Sequence, residues 1–101
     1  SLFSDVGEFP EEFWDKVYEI GKRHWEEYYD KGLREVEDIL NYMENTNWYM
    51  LSKDSEDVYT LVLKEQGSKK FVKLFLQGIF DESPHEVDLS ESYRKIRLRI
   101  E

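Results

Sequence analysis

The sequence predicts an α+β fold in which two helices are followed by four antiparallel strands. Apolar residues recur about every 3.6 positions from Pro10 to Glu44, and from Trp48 onward they alternate with polar residues. The alternating segments are joined by short connections, which favour a β-meander with both helices on one face. We therefore expect a two-layer domain of order ααββββ.

A chain of 101 residues predicts one domain. We divide it into an N-terminal arm of residues 1–9, a helical half of residues 10–45 and a sheet half of residues 47–101. Either the apolar side chains of Leu2, Phe3 and Val6 pin the arm onto the fold, or the arm frays, as chain ends commonly do.

The charge balance narrows the classes of partner. The chain has 23 acidic and 14 basic side chains, a formal net charge of −9, and no cysteine. An acidic surface repels nucleic-acid phosphates and anionic lipid, so we expect neither as a partner. The lack of cysteine excludes disulfides and thiolate metal sites and is compatible with a cytoplasmic location. No apolar run approaches the ~20 residues of a membrane-spanning helix.

The first predicted helix runs from Pro10 to Asp30 and has an unusually broad aromatic face. Proline suits the first helical position. The apolar arc covers roughly 200°, about twice what one buried stripe requires. A second helix absorbs part of this arc, and the margin formed by Tyr18, Trp25 and Tyr29 remains. Trp and Tyr dominate binding hot spots, so this margin is a candidate partner surface.

The remaining elements follow from turn residues and periodicity. Gly32 is the expected left-handed cap of helix 1. Helix 2 is predicted from Leu33 to Glu44, where an Asn-Thr-Asn sequence ends it. The predicted strands are residues 48–52, 58–65, 70–80 and 92–100, with a short extended piece at 87–89. Alternation predicts three rows that point towards the helices: Tyr59, Leu61 and Leu63; Val72, Leu74 and Leu76; and Ile96, Leu98 and Ile100.

The third and second predicted strands define a second candidate surface. Alternation places Val62, Phe71, Phe75 and Ile79 on the face of the sheet that points away from the helices. Such a strip would be exposed apolar surface unless a partner covered it. We expect this outer face to bind a protein.

The last predicted strand places Lys95, Arg97 and Arg99 in one outward row. We interpret this row as the charged side of an edge strand, which prevents unwanted pairing with other strands. An anion or acidic partner is the alternative. A single-stranded nucleic-acid platform is disfavoured by the net charge and by the absence of an RNP-like motif.

No catalytic, cofactor or metal motif is present. His24 lies within the aromatic arc of helix 1, either as a hydrogen-bonded core or rim residue or as a general base in a pocket. His85 lies in an acidic loop, but the spacing matches neither a calcium-binding loop nor H-E-x-x-H. We therefore expect no metal site and no cofactor.

These observations indicate a non-enzymatic interaction or regulatory module of the inhibitor, immunity or chaperone type, with homodimerisation as its simplest form. One alternative is a ligand-binding or enzymatic pocket under helix 1 around His24. A second is an acidic nucleic-acid mimic. Its acidic face would comprise Glu11, Asp15, Glu19, Glu26 and Asp30, interrupted by Lys16, Lys22 and Arg23.

Overall fold

The computed structural model describes residues 9–101 and confirms the α+β class. Its elements are α1 (Glu11–Asp30), α2 (Val36–Glu44), β1 (Tyr49–Ser55), β2 (Val58–Leu63), α3 (Lys69–Glu82), β3 (Val87–Ser92) and β4 (Lys95–Ile100), with a 3₁₀ turn at Gln66–Ser68. The predicted order ααββββ is corrected to ααββαββ. The expected contacts of Leu2, Phe3 and Val6 lie outside the described residues.

Helix α1 begins and ends where the sequence predicts. Pro10 is its N-cap residue, and Gly32 has a φ of 85°. The Leu33 N–H donates to the Tyr28 carbonyl at 2.8 Å, and the Gly32 N–H donates to the Tyr29 carbonyl at 3.1 Å. This pair of hydrogen bonds is a Schellman motif, which a glycine at the left-handed position favours.

Helix α2 begins at Val36, three residues later than predicted. Its buried stripe comprises Val36, Ile39, Leu40 and Met43, as the 3.6-residue period requires. The helix ends at the predicted Asn-Thr-Asn sequence, where the Thr46 hydroxyl donates to the Met43 carbonyl at 2.6 Å. Asn47 then takes a left-handed backbone conformation with a φ of 70°.

The third predicted strand is wrong, because residues 69–82 form helix α3. Its buried apolar residues follow the helical period: Val72, Phe75, Leu76, Ile79 and Phe80. A dense apolar run satisfies both periods, so alternation at Val72, Leu74 and Leu76 was not decisive. The helix has 14 residues, well beyond the usual strand length of about 5–6 residues.

Helix α3 packs against α1 at a crossing formed by two glycines. A Cβ atom on Gly78 would lie 2.1 Å from the Tyr18 carbonyl oxygen, and one on Gly21 would lie 2.3 Å from the Phe75 carbonyl oxygen. The two backbones therefore approach as closely as only glycine permits. The excess aromatic surface of α1 is thus covered mainly by α3, whereas the sequence had assigned that role to helix 2.

The four strands form an antiparallel sheet in the order β1-β2-β4-β3, which is not a meander. Helix α3 connects β2 to β3, and β4 returns to pair with β2. The predicted extended piece at 87–89 is the start of β3. The predicted last strand begins at Lys95 instead of Ser92, because Ser92 belongs to β3 and Tyr93-Arg94 forms the turn.

The sheet has one covered and one open face. The predicted inward rows of β2 and β4 lie on the covered face: Tyr59, Leu61, Leu63, Ile96 and Leu98 are buried, and Ile100 at the end of β4 is half-buried. Hydrogen bonds fix α2 to this covered face: the Tyr49 hydroxyl donates to the Leu40 carbonyl and the Tyr59 hydroxyl to the Glu37 carboxylate, both at 2.8 Å. Within residues 9–101, no helix has the length and apolar content to cross a membrane.

Candidate functional site

Most of the aromatic margin predicted on helix 1 makes contacts within the protein. Trp25 is buried, and its ring meets those of Tyr29 and His85 at about 6 Å. The Tyr18 hydroxyl donates a hydrogen bond to the Asp81 carboxylate on α3. Tyr29 alone is exposed, at 46%. The three residues therefore do not form one free aromatic surface.

A cation also covers one face of the Tyr29 ring. The Arg34 guanidinium carbon lies 3.9 Å from the ring centroid, and its Nε donates to the Tyr29 carbonyl at 3.2 Å. This stacking joins the end of α1 to the connection that leads into α2. The contact explains the exposed ring as part of the helix–helix connection.

The predicted outer apolar strip does not exist as a unit, because three of its four members lie on α3. Phe75 and Ile79 are buried, at 6% and 0% exposure, and Phe71 is half-buried. Phe71 and Phe75 pack against the Trp48 ring at 5.2 and 5.3 Å between centroids. Only Val62 lies on the open face of the sheet, as predicted, with 36% exposure.

His24 forms part of the helix packing. Its Nδ1 hydrogen-bonds the Ile20 carbonyl at 2.9 Å, and its ring lies edge-on to Phe75 at 4.9 Å. The pocket hypothesis required an enclosed cavity beside this ring. None of the described cavities is lined by His24. The geometry matches the core or rim interpretation.

His85 fastens the loop before β3 to the helical layer. Its Nε2 lies 2.6 Å from the Arg34 carbonyl oxygen, and Ser83 Oγ accepts a hydrogen bond from its backbone N–H. Among residues 9–101, no three His, Cys, Asp or Glu side chains come together as a metal site would require. The hydrogen bonds of Ser83 and His85 therefore give this loop a structural role.

The acidic residues proposed for nucleic-acid mimicry are exposed but share their surface with cations. Glu19 and Glu26 line one open depression together with Lys22 and Arg23. Lys22 Nζ lies 3.7 Å from a Glu19 oxygen. A phosphate mimic needs an unbroken negative surface, and these cations interrupt it at the middle of α1.

The open face of the sheet carries charged and apolar side chains that take no part in the packing of the helices. Strand register aligns its side chains in three cross-strand rows. These rows are Met50–Val62–Lys95–Ser92, Ser52–Thr60–Arg97–Ser90 and Val58–Arg99–Asp88. Met50 is 60% exposed beside Val62, so a small apolar patch adjoins the cations. Met50 was missed from the sequence, although pairing it with Val62 in the predicted hairpin would have found it.

Lys95, Arg97 and Arg99 are exposed along one strand and form no ion pair with another described residue, although Asp88 lies opposite Arg99 in the register. Within residues 9–101, no hydrogen bond or ion pair joins their charged groups to another residue. Asp54 lies on β1, and its carboxylate accepts hydrogen bonds from the hydroxyls of Ser52 and Thr60. The three cations are therefore held in place by the strand alone.

The position of β4 changes the meaning of this row. The sequence placed the cations on an edge strand, where outward charge protects against pairing. In the structure β4 lies between β2 and β3 and both of its edges are already paired. The edge-protection interpretation is therefore wrong, and the cations have no structural task that the fold reveals.

Two shallow depressions flank the row, of about 180 and 280 Å³. Both are lined by Ser90 and Arg97; Arg99 and Asp88 border one, and Lys95 and Thr60 border the other. Hydroxyl groups thus lie beside guanidinium and ammonium groups, a combination that binds carboxylate or other oxyanions. The arrangement is therefore suited to recognise an oxyanion.

No protein-family model, curated protein or solved structure matches the chain.

Proposed function

We propose that the protein is a non-enzymatic protein-interaction module, cytoplasmic in location, that binds its partner through the open face of the sheet. One observation carries the proposal. An interior strand presents Lys95, Arg97 and Arg99 on a face that no described residue covers, next to the exposed apolar pair Met50 and Val62. Sheets normally bury at least one face and hydrate the other, and a hydrated face needs no such apolar pair.

The composition of this face suits a protein interface. Arg and Met are enriched in such interfaces, whereas Lys belongs to their rims. Arg97 lies at the middle of the face, between Thr60 and Ser90 in the register, and Lys95 lies nearer the turn. A central arginine, flanking hydroxyls and an adjoining apolar pair allow a partner to bury apolar surface while satisfying the cation.

Homodimerisation by stacking two open faces is not favoured by this arrangement. A two-fold axis through the face would bring the cationic row of one copy against that of the other. Juxtaposed like charges oppose association by several kcal/mol, so the natural occupant of the face is a different protein.

Site-specific photo-cross-linking in extracts of the source cells tests the proposal. The photoreactive residue p-benzoylphenylalanine replaces Ser52 on the open face or, as a matched control, Lys16 on α1, both exposed positions. We expect discrete protein adducts from position 52 and none above background from position 16. The absence of protein adducts at 52, or the same adducts from both positions, would overturn the proposal.

A further inference from the structure

We infer that the partner presents an amphipathic α-helix to the open face, with acidic residues at i, i+4 and i+8 beside an apolar stripe. This inference rests on the proposed function and specifies the partner's chemistry. Three features of the face indicate the occupant. These are the spacing of its cations, the two valines beside them on β2 and the lack of aromatic side chains in the rows of the described strands.

The spacing of the cations matches a helical row of carboxylates. Alternate residues of a strand lie ~6.7 Å apart, so Lys95 and Arg99 are separated by ~13 Å along β4. Residues four apart on a helix rise ~6 Å, so three carboxylates at i, i+4 and i+8 span ~12 Å. The long side chains of lysine and arginine absorb the remaining difference, and arginine binds a carboxylate with two parallel hydrogen bonds.

The neighbouring strand supplies the apolar half of the contact. Val58, Thr60 and Val62 lie directly opposite Arg99, Arg97 and Lys95 in the register, about 4.8 Å away in the direction of strand pairing. Beyond Val62, Met50 extends the apolar surface onto β1. A helix lying over β2 and β4 would place its apolar stripe on the valines and its acidic row over the cations.

A helix suits this face better than an extended segment. Both edges of β4 are paired, so an occupant of the face receives no backbone hydrogen bonds from the strand beneath it. An extended segment buried there would leave its own N–H and C=O groups without partners. A helix satisfies those groups internally and contacts the sheet only through side chains.

Single-stranded nucleic acid fits the face less well. Proteins that bind it combine cations with aromatic rings on which the bases stack. The rows that make up the outward face of the described strands contain no aromatic side chain.

A second copy of this chain is also a poor occupant. Its α1 is the most acidic helix, but Lys22 and Arg23 interrupt that surface beside Glu19. In addition, α1 packs on α3 on the covered side of the sheet, away from the open face. Such a contact would be head-to-tail and would not close into a dimer.

Fluorescence anisotropy with designed helical peptides tests the inference. One side-chain-stapled peptide of about 18 residues carries glutamates at i, i+4 and i+8 beside a leucine stripe. A second peptide has the same composition and staple, with the glutamates moved to the opposite face. We expect the first to bind the wild-type protein at least about tenfold more tightly, a difference of ~1.4 kcal/mol.

Charge reversal on the protein supplies the matched control. Arg97→Glu should weaken binding of the first peptide at least about tenfold, because it reverses the central cation of the face. Lys16→Glu makes the same change of net charge on exposed α1 and should alter binding less than about twofold. Circular dichroism establishes that each variant is folded, and Arg97→Gln serves in place of Arg97→Glu if that variant is not.

Each other result has a defined meaning. Equal binding of the two peptides, no binding by either, or equal effects of Arg97→Glu and Lys16→Glu would overturn the inference. Tighter binding of oligothymidylate than of the first peptide would assign the face to nucleic acid and also overturn it. If position 52 still cross-links to protein in those cases, the proposed function stands and only the helical partner is rejected.

Discussion

The two faces of the sheet are built from the same strands and differ in how their side chains are satisfied. On the covered face, Tyr59, Leu61 and Leu98 are buried under the helices. On the open face, residues one position away differ: Arg97 is exposed, and Thr60 is covered only by neighbouring side chains of the sheet and donates a hydrogen bond to Asp54. We therefore expect substitutions on the covered face to cost more stability than substitutions on the open face.

The glycine crossing holds the covering layer together, so breaking it should have the largest effect. In Gly78→Ala the new Cβ would lie 2.1 Å from the Tyr18 carbonyl oxygen, and α1 and α3 must separate. We expect a loss of ~3 kcal/mol in the free energy of unfolding, the upper end for overpacking. Urea denaturation followed by circular dichroism measures it.

Gly32→Ala is the control for this substitution. Gly32 has no neighbour within 4 Å of the added atom, but its φ of 85° strains any L-residue, at a cost of ~1–2 kcal/mol. The prediction is thus a ranking in which Gly78→Ala is the more harmful. A stable Gly78→Ala variant would mean that the helices cross at a greater distance than this structure shows.

Substitutions at two neighbouring residues of β2 allow a direct comparison of the two faces of the sheet. Leu61 is fully buried and Val62 is 36% exposed on the opposite face. Leu61→Ala should reduce the free energy of unfolding by ~3 kcal/mol through lost burial and a residual cavity. Val62→Ala should change it by less than ~0.5 kcal/mol. Similar losses from both would show that the outer face is covered in solution.

The sequence was sufficient to predict the elements with local signals. Helix α1 has a proline start and a glycine end, and β2 alternates regularly, so both were found nearly to the residue. Residues 69–82 carry apolar side chains at both periods, and only packing on Gly21 selects the helix. Local pattern cannot encode that choice, because the selecting contact lies about fifty residues away.

The prediction of the candidate site was affected by the same error, the assignment of residues 69–82 as a strand. The cations of β4 were recognised as one outward row because alternation alone defines it. Their interpretation required the position of β4 in the sheet, which depends on the crossover through α3. Treating α3 as a strand placed Phe75 and Ile79 on the outer face and left β4 at an edge. One mistaken element thus produced both the false apolar strip and the false edge.

The covered side also holds tyrosines whose ionisation should weaken the fold. Burial, assisted by the nearby Tyr42 and Glu27, raises the pKa of Tyr28 to about 12. Since the folded-state pKa exceeds the unfolded value of about 10, the stabilisation is complete below pH 10 and is lost as the pH rises towards 12. Tyr28→Phe should flatten this decline by up to ~1.4 kcal/mol per pH unit.

Urea denaturation of wild type and Tyr28→Phe at pH 7 and between pH 10 and 12 measures the effect. The pH 7 comparison isolates any packing change, because the phenol is then protonated in both the folded and the unfolded state. Groups remote from Tyr28 that titrate at alkaline pH are common to the two proteins and cancel in the difference, whereas Tyr42 and Tyr49 interact with Tyr28 and contribute to the same alkaline change. The difference in stability between the proteins should therefore change only above pH 10. Curves that stay parallel from pH 7 to 12 would show that the Tyr28 hydroxyl reaches water and that α1 packs less tightly beside Tyr42 of α2 than this structure shows.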